Sequence, residues 1–489
     1  MRKSFKFNNI RKPWLYLEKG RSKPPFAAVS REILKVPGMP GGYLEGTEIE
    51  PLVIRQPVGF KVKDDEHALQ LKEELADWLF TEKSAPLELD DEPGRTYYAI
   101  VQNTLDDFDR IVSLRRGTIQ FLCLDPYGFG DEENATFSND GVTIMNNGTV
   151  ETKPRFEIDV LKDTLFMDLV SAVGPYMRVG EPGELDTPPY ERRSLVMDDL
   201  CTSTEGWNVA DAVDNGYIRG NILATPDGFV PETFGAAVEP YAWQGPSLKK
   251  QIVDVNGNPM SVDNFQLDIP LELLNVGNGT GMIEAYCKDI DNHIVTKIGI
   301  EDVWRGMERI QAKMQLGDIG NREQYYTQAD YGYGWNDFKG IMRLYRDDYS
   351  GEKRIRPYFA IRKPDGTHDW VRSQYYYEDV EENYQNPITQ IQLAFRKWPS
   401  RTEAKMKVNR VTLWEYHTEP EKIPYLLRAG DKVIIDMKDR LILINGEDRT
   451  EELGEFGVSF FSLYPGGNTL FQFPENTFQT KIYWSPKYR

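Results

Sequence analysis

The chain has 489 residues, of which 40% are hydrophobic and 28% charged, with a formal net charge of −19. That length holds two to four domains, each able to bury its own core, and the composition describes a soluble globular chain and excludes a disordered one. The acidity excludes a basic groove for nucleic acid; it suits plain solubility, and equally a wall along which a polyanion slides.

No apolar run reaches the roughly 18–20 residues that a membrane span requires. The N-terminus, Met1-Arg2-Lys3-Ser4-Phe5-Lys6, leads into polar residues and Pro13, which argues against a secretory signal. Cys123, Cys201 and Cys287 stand far apart without a partner motif, as reduced core thiols do. With only His67, His293, His368 and His417 available, chemistry built on a histidine cluster is disfavoured. Aromatics make up 12% of the chain, with 40 Gly and 30 Pro, the texture of many short strands joined by tight turns.

In chain order, Trp14–Leu17 reads as a short strand, and Val36-Pro37-Gly38-Met39-Pro40-Gly41-Gly42 as a sharp turn. A second strand runs from Glu50 to Val58. The clearest helix spans about Asp64 to Phe80: Asp64 or Asp65 caps it, and Ala68, Leu71, Leu75, Trp78 and Leu79 form one apolar stripe. Strands follow at Ala85–Leu89, Tyr97–Gln102, Ile111–Leu114 and Gly117–Cys123. Asp131 to Asp140 is polar and acidic and reads as a linker. Strands resume at Gly141–Met145 and Lys153–Val160 around the turn Asn146-Asn147-Gly148.

Gly180 to Pro189 has the composition of a second linker. Beyond it an aromatic-rich region reaches about Trp414, with strand-like runs at Gly281–Lys288, Phe338–Tyr345, Arg356–Arg362, Trp370–Tyr377, Thr389–Arg396 and Arg410–Tyr416. Asp302 to Leu316 reads as a helix weakened by Gly306. The tail is all β: Asp431–Asp436 and Arg440–Ile444 pair across Met437-Lys438-Asp439, Asn445-Gly446 makes the next turn, and Thr469–Phe473 and Thr480–Trp484 close the chain.

Several fragments at the two ends are specific in combination. They are Val36-Pro37-Gly38, Leu75-Ala76-Asp77-Trp78-Leu79, Tyr97-Tyr98 and Phe121-Leu122-Cys123-Leu124-Asp125-Pro126-Tyr127, then Ala429-Gly430-Asp431-Lys432-Val433-Ile434-Ile435-Asp436, Asn445-Gly446 and Leu463-Tyr464-Pro465-Gly466-Gly467-Asn468-Thr469. In this order and spacing the chain resembles the distal tail proteins of siphovirus-type, long-tailed, non-contractile bacteriophages. The resemblance covers roughly residues 1–180 and 418–489.

It implies a mainly β chain. Residues 1–130 would be an α+β ring-forming domain like that of the tail tube. Residues 141–180 with 418–489 would be a galectin-like β-sandwich, and 181–417 a guest jelly roll inserted into it, as in enlarged family members with carbohydrate-binding insertions. A rigid sandwich tolerates such a guest if entry and exit lie close together.

The function it implies is structural: a homo-hexameric ring in the virion, at the distal end of the tail, made in the host cytoplasm. Its partners would be the major tail tube protein, a tail-associated lysin or tip protein, a receptor-binding protein and host cell-wall polysaccharide. Genome DNA would pass through without a specific site, repelled if Asp106, Asp107 and Asp109 face the lumen.

For sugar binding, the aromatics of the insertion are the natural candidates, because the apolar face of a pyranose stacks on a ring. Trp207, Trp304 and the run Tyr375-Tyr376-Tyr377 are among them. Tyr241 and Trp243, in Tyr241-Ala242-Trp243-Gln244-Gly245-Pro246, and Tyr333 and Trp335, in Tyr331-Gly332-Tyr333-Gly334-Trp335-Asn336, stand out beside small residues; Trp370 and Tyr376 complete the set. The competing reading is that most of these rings fill the core.

No catalytic set is expected. Asp198-Asp199, Asp347-Asp348 and Glu378-Asp379 are adjacent pairs that point to opposite faces of a strand, whereas a glycosidase pair must flank one bond. Asp254-Val255-Asn256-Gly257-Asn258 reads as turn chemistry, not a calcium loop. No cofactor or metal is expected. Two rival readings stay open: the insertion as a hydrolase of wall polysaccharide, or as a purely structural docking arm.

Overall fold

The computed structural model describes residues 4–102, 109–111, 114–183, 188–304, 306–318, 322–329, 333–349, 352–373, 376–418, 422–454 and 458–489. Asp106, Asp107, the side chain of Asp109, Tyr331 and Tyr375 lie outside the described residues. The fold is mainly β, with one α-helix among the described residues.

The first sheet runs, in spatial order, Phe5–Phe7, Ala85–Leu89, Thr96–Val101, Leu114–Cys123, Leu52–Lys61 and Leu15–Leu17. The helix Asp65–Leu79 covers it with the stripe that its sequence announces: Ala68, Leu71, Leu75, Trp78 and Leu79 are buried. Asp64 caps the helix by accepting from the His67 backbone N–H at 2.7 Å. Trp78 fixes the docking, donating from Nε1 to the Phe7 carbonyl at 3.0 Å and stacking on Phe5. The turn at Val36–Gly42 falls where expected, but it joins strands Val29–Leu34 and Tyr43–Ile49, which the sequence reading did not resolve. They form a separate two-stranded sheet with no buried residue.

The second body is a two-sheet sandwich. One sheet orders Glu133–Thr136, Phe478–Trp484, Arg155–Val160, Lys432–Asp436, Leu441–Ile444 and Glu447–Asp448; the other orders Gly141–Asn146, Gly466–Phe473, Phe166–Ser171 and Tyr176–Gly180. Phe156 faces Ile482 on one side and Ile435 on the other, so early and late segments share one sheet. Their core joins Phe156, Ile158, Met177, Val433, Ile435 and Ile482.

The acidic stretch expected as a linker contains the edge strand Glu133–Thr136 instead. Its side chains are half-exposed or exposed, so it carries no apolar alternation to betray it. The last strand, Lys487–Tyr488, leaves the sandwich and pairs with Gly128–Phe129 of the first sheet, where Lys487 meets Asp125 at 2.8 Å.

Between Gly180 and Lys432 stands a larger sandwich. Its ten-stranded sheet is built around Phe265–Leu274, Phe338–Tyr349 and Glu352–Arg362, and its seven-stranded sheet around Gly281–Lys288, Ile294–Asp302 and Gln390–Arg396. One core lies between them, from Met197 to Leu413. The helix expected at Asp302–Leu316 is absent: Ile294–Asp302 and Ile310–Leu316 pair antiparallel, with Asp302 opposite Ile310. Nearly every residue of both strands is buried, so their pattern lacks the period of two that identifies a strand. The expected strand Trp370–Tyr377 is likewise two, His368–Arg372 and Tyr377–Glu378.

Candidate functional site

The aromatic candidates scatter over the guest sandwich. Tyr241 (45% exposed), Tyr333 (69%) and Tyr376 (54%) present rings to solvent. Trp243 is half-buried, edge-on to Trp398 at 5.8 Å. Trp335 corrects the expectation: it is 0% exposed, packs on Phe338 and Phe359, and donates from Nε1 to the Trp370 carbonyl at 2.9 Å. A ring closed on all sides cannot stack on a sugar. The small residue beside it, Gly334, makes room for another ring: a Cβ there would sit 3.0 Å from the Trp370 indole. The Trp207 side chain is also core, held by Asp199.

Trp370 occupies a β-bulge, where Phe359 pairs with Arg372 and Ile361 with Asp369. Its φ is 51°, a left-handed conformation that a bulky residue adopts only where the surroundings over-determine it. The bulge seats the Trp370 indole against Gly334 and the guest core, at the edge of a cavity of about 1660 Å³ between the guest sandwich and its host.

One wall of this cavity is the outer face of the ten-stranded sheet. Trp414 and Tyr416 alternate along Val411–Tyr416 and therefore share that face. Tyr345 lies nearly parallel to Tyr416, ring centres 6.5 Å apart. Arg193 lies over Trp414 at 4.5 Å and Arg192 over Tyr416 at 5.7 Å. The polar groups are held in place: Tyr416 donates to Gln266 Oε1 at 2.7 Å, and Tyr358 shares a 2.7 Å hydrogen bond with His368 Nδ1. Burial pushes the His368 pKa down, which keeps the imidazole neutral at pH 7.

The other wall is the host strand Leu441–Ile444 with the turn that follows. Arg343 crosses the gap, binding Asp268 through Nε and Nη2 at 2.6 and 2.9 Å and Glu447 through Nη1 at 2.7 Å. Below it the turns touch: the His368 N–H donates to the carbonyl of Gly446, whose φ is 87°, at 2.9 Å, and a Cβ on Gly446 would collide with the Gly366 carbonyl.

Carboxylates elsewhere in the guest are engaged structurally. Glu284, fully buried, sits among Lys313 (2.9 Å), Arg396 (2.8 Å) and Lys297 (3.2 Å) and accepts from Tyr286 at 2.7 Å. Burial pushes its pKa up, but the three cations override that and hold it well below the usual carboxylate range. Asp198 is held by Arg410 and Asp199 by Lys250; Asp348 pairs with Lys353. Asp379 accepts from the backbone of Asn383 and Tyr384, and Asp254 from that of Asn256 and Asn258. Among the described residues no group of three His, Cys, Asp or Glu side chains converges to hold a metal.

Residues 11–123 match the family described as phage tail protein RIFT-related domain. Residues 394–488 match the siphovirus-type tail component, C-terminal domain. The second match begins in the last guest strands and runs through the host sandwich. Among curated proteins none matches this sequence. Among solved structures the chain is similar to the SPP1 Dit (gp 19.1) protein of phage SPP1, at 15% identity, covering 37% of this chain and 77% of that one, with a TM-score of 0.33. It is also similar to the CBM2 module of the evolved Dit of Lactobacillus casei BL23 phage J-1, at 13% identity, 47% and 98% coverage and a TM-score of 0.38. The laminarinase from Rhodothermus marinus aligns at 10% identity, 46% and 98% coverage and a TM-score of 0.31.

A phage tail protein domain at one end and a siphovirus-type tail domain at the other define a phage tail component. Within that class the chain is similar to the distal tail proteins at both ends, and a guest β-sandwich splits its second sandwich.

Proposed function

We propose that six copies close into a ring at the distal end of the tail, with residues 1–130 as the ring domain. Residues 141–180 with 418–489 form the outer host sandwich, and 181–417 the guest. The observation that carries this reading is the hairpin Val29–Ile49, which holds Ile33, Leu34, Met39, Tyr43, Leu44 and Ile49 exposed away from any core. An apolar arm of this size is an interaction surface. Set on the next copy, it makes a heterologous contact, and such contacts repeated around an axis close a ring.

The ring joins the major tail tube protein above to a lysin or tip protein and a receptor-binding protein below, and DNA passes through it. Virion assembly begins from chains made in the host cytoplasm. Light scattering and electron microscopy of the purified chain test this. The expected result is a hexamer that Ile33→Asp with Leu44→Asp converts to a folded monomer. A native monomer, or a doubly substituted hexamer, overturns the reading.

We infer further that the guest binds cell-wall saccharide and performs no chemistry on it. Six weak sites on one ring gain by multivalency, so millimolar affinity at each suffices. Release of reducing ends from wall polysaccharide by the purified protein would establish the hydrolase reading instead. Failure to bind any wall glycan would leave the guest as a docking arm.

A further inference from the structure

We propose that the saccharide site is the cavity between guest and host, and that its ligand is an uncharged oligosaccharide of several rings; this rests on the saccharide-binding reading above. Three observations select that ligand class. The volume, about 1660 Å³, exceeds the roughly 300–1,000 Å³ of sites for single small molecules, so the cavity accommodates a short chain of rings. Its guest wall carries half-buried aromatic rings, Trp414, Tyr416 and Tyr345, suited to the apolar sides of pyranoses.

The third observation concerns charge. Carboxylates outnumber guanidinium and ammonium groups in the lining. Those groups neutralise one another in place: Arg343 with Asp268 and Glu447, Arg428 with Glu191, Arg449 with Glu452. A polyanion finds no strongly basic surface there, whereas hydroxyls find an array of prepositioned donors and acceptors. Rotating hydroxyls serve either role, which suits alternating Arg and Asp partners.

Because host and guest each contribute a wall, the complete site exists only in the intact chain.

The test uses the full chain on an array of uncharged hexose, deoxyhexose and N-acetylhexosamine oligosaccharides, with poly(glycerol phosphate) beside them, followed by calorimetry with the best glycan. The expected result is a neutral glycan whose affinity falls roughly tenfold or more in Trp414→Ala and in the exposed-residue variant Arg192→Ala, with unchanged melting. Tyr241→Ala and Tyr333→Ala, away from the cavity, leave it unchanged. Glycan binding that survives Trp414→Ala and Arg192→Ala but falls in the Tyr241 or Tyr333 variants overturns the cavity while keeping the guest as a sugar-binding module. Binding of poly(glycerol phosphate) alone overturns the uncharged ligand. No binding to any probe overturns both.

Discussion

Arg343 of the guest holds Glu447 of the host at 2.7 Å while gripping Asp268 of its own sheet with two further nitrogens. It is 7% exposed, and the paired carboxylates outweigh its burial and hold it firmly charged. The contact sets the angle between two bodies that one chain enters and leaves only once.

Removing one partner of that bridge is expected to loosen the guest without unfolding it. Glu447→Ala leaves Arg343 with Asp268, so the loss is about 1–3 kcal/mol, smaller than for a fully orphaned charge. Gly446→Ala acts on the same seam, since its Cβ would collide with the Gly366 backbone. Both variants should scatter X-rays as a broader particle and be cut faster between residues 181 and 192, with the first domain's unfolding unchanged.

Three buried cations meet at Glu284, of which Lys297 also binds Asp214 and Lys313 also binds Glu301, each at 2.7 Å. Glu284→Gln leaves Lys297 with Asp214 and Lys313 with Glu301 but takes the carboxylate from Arg396, at a cost of about 1–3 kcal/mol. Differential scanning calorimetry should show the guest transition falling alone.

Asp302 gives the guest a pH dependence of opposite sign to that of an ion-paired carboxylate. Burial raises its pKa to about 6, against the opposing hydrogen bond from Asn275 at 2.6 Å. The folded state therefore holds the proton more tightly than the unfolded chain. Its contribution to stability is complete below the unfolded pKa near 3.9 and is lost as pH rises through about 6. Asp302→Asn should gain on the native protein by about 1–2 kcal/mol more at pH 7.5 than at pH 5. Equal differences at the two pH values would refute the assignment.

Part of the cavity was legible in advance and part was not. The spacing Trp414-x-Tyr416 on a strand places both rings on one face, a signal available from alternation alone. Tyr345 and Tyr358 gave no such sign, because only strand pairing brings residues so distant in sequence beside Trp414. Trp335, chosen for its small neighbours, turned out to be enclosed: Gly334 makes room for the Trp370 indole, not for a ligand.

Local order in the chain was sufficient for the capped helix Asp65–Leu79, for the turns at Val36–Gly42 and Asn445-Gly446, and for the kinship of both ends to a tail protein. These depend on near neighbours, through capping, periodicity and turn chemistry. Tertiary structure alone decided that Phe156 sits between Ile435 and Ile482, that Asp302–Leu316 is a strand pair and not a helix, and that Arg343 meets Glu447. Each of those depends on what covers the second face of a strand or on which distant strand lies beside it, and a linear pattern carries neither.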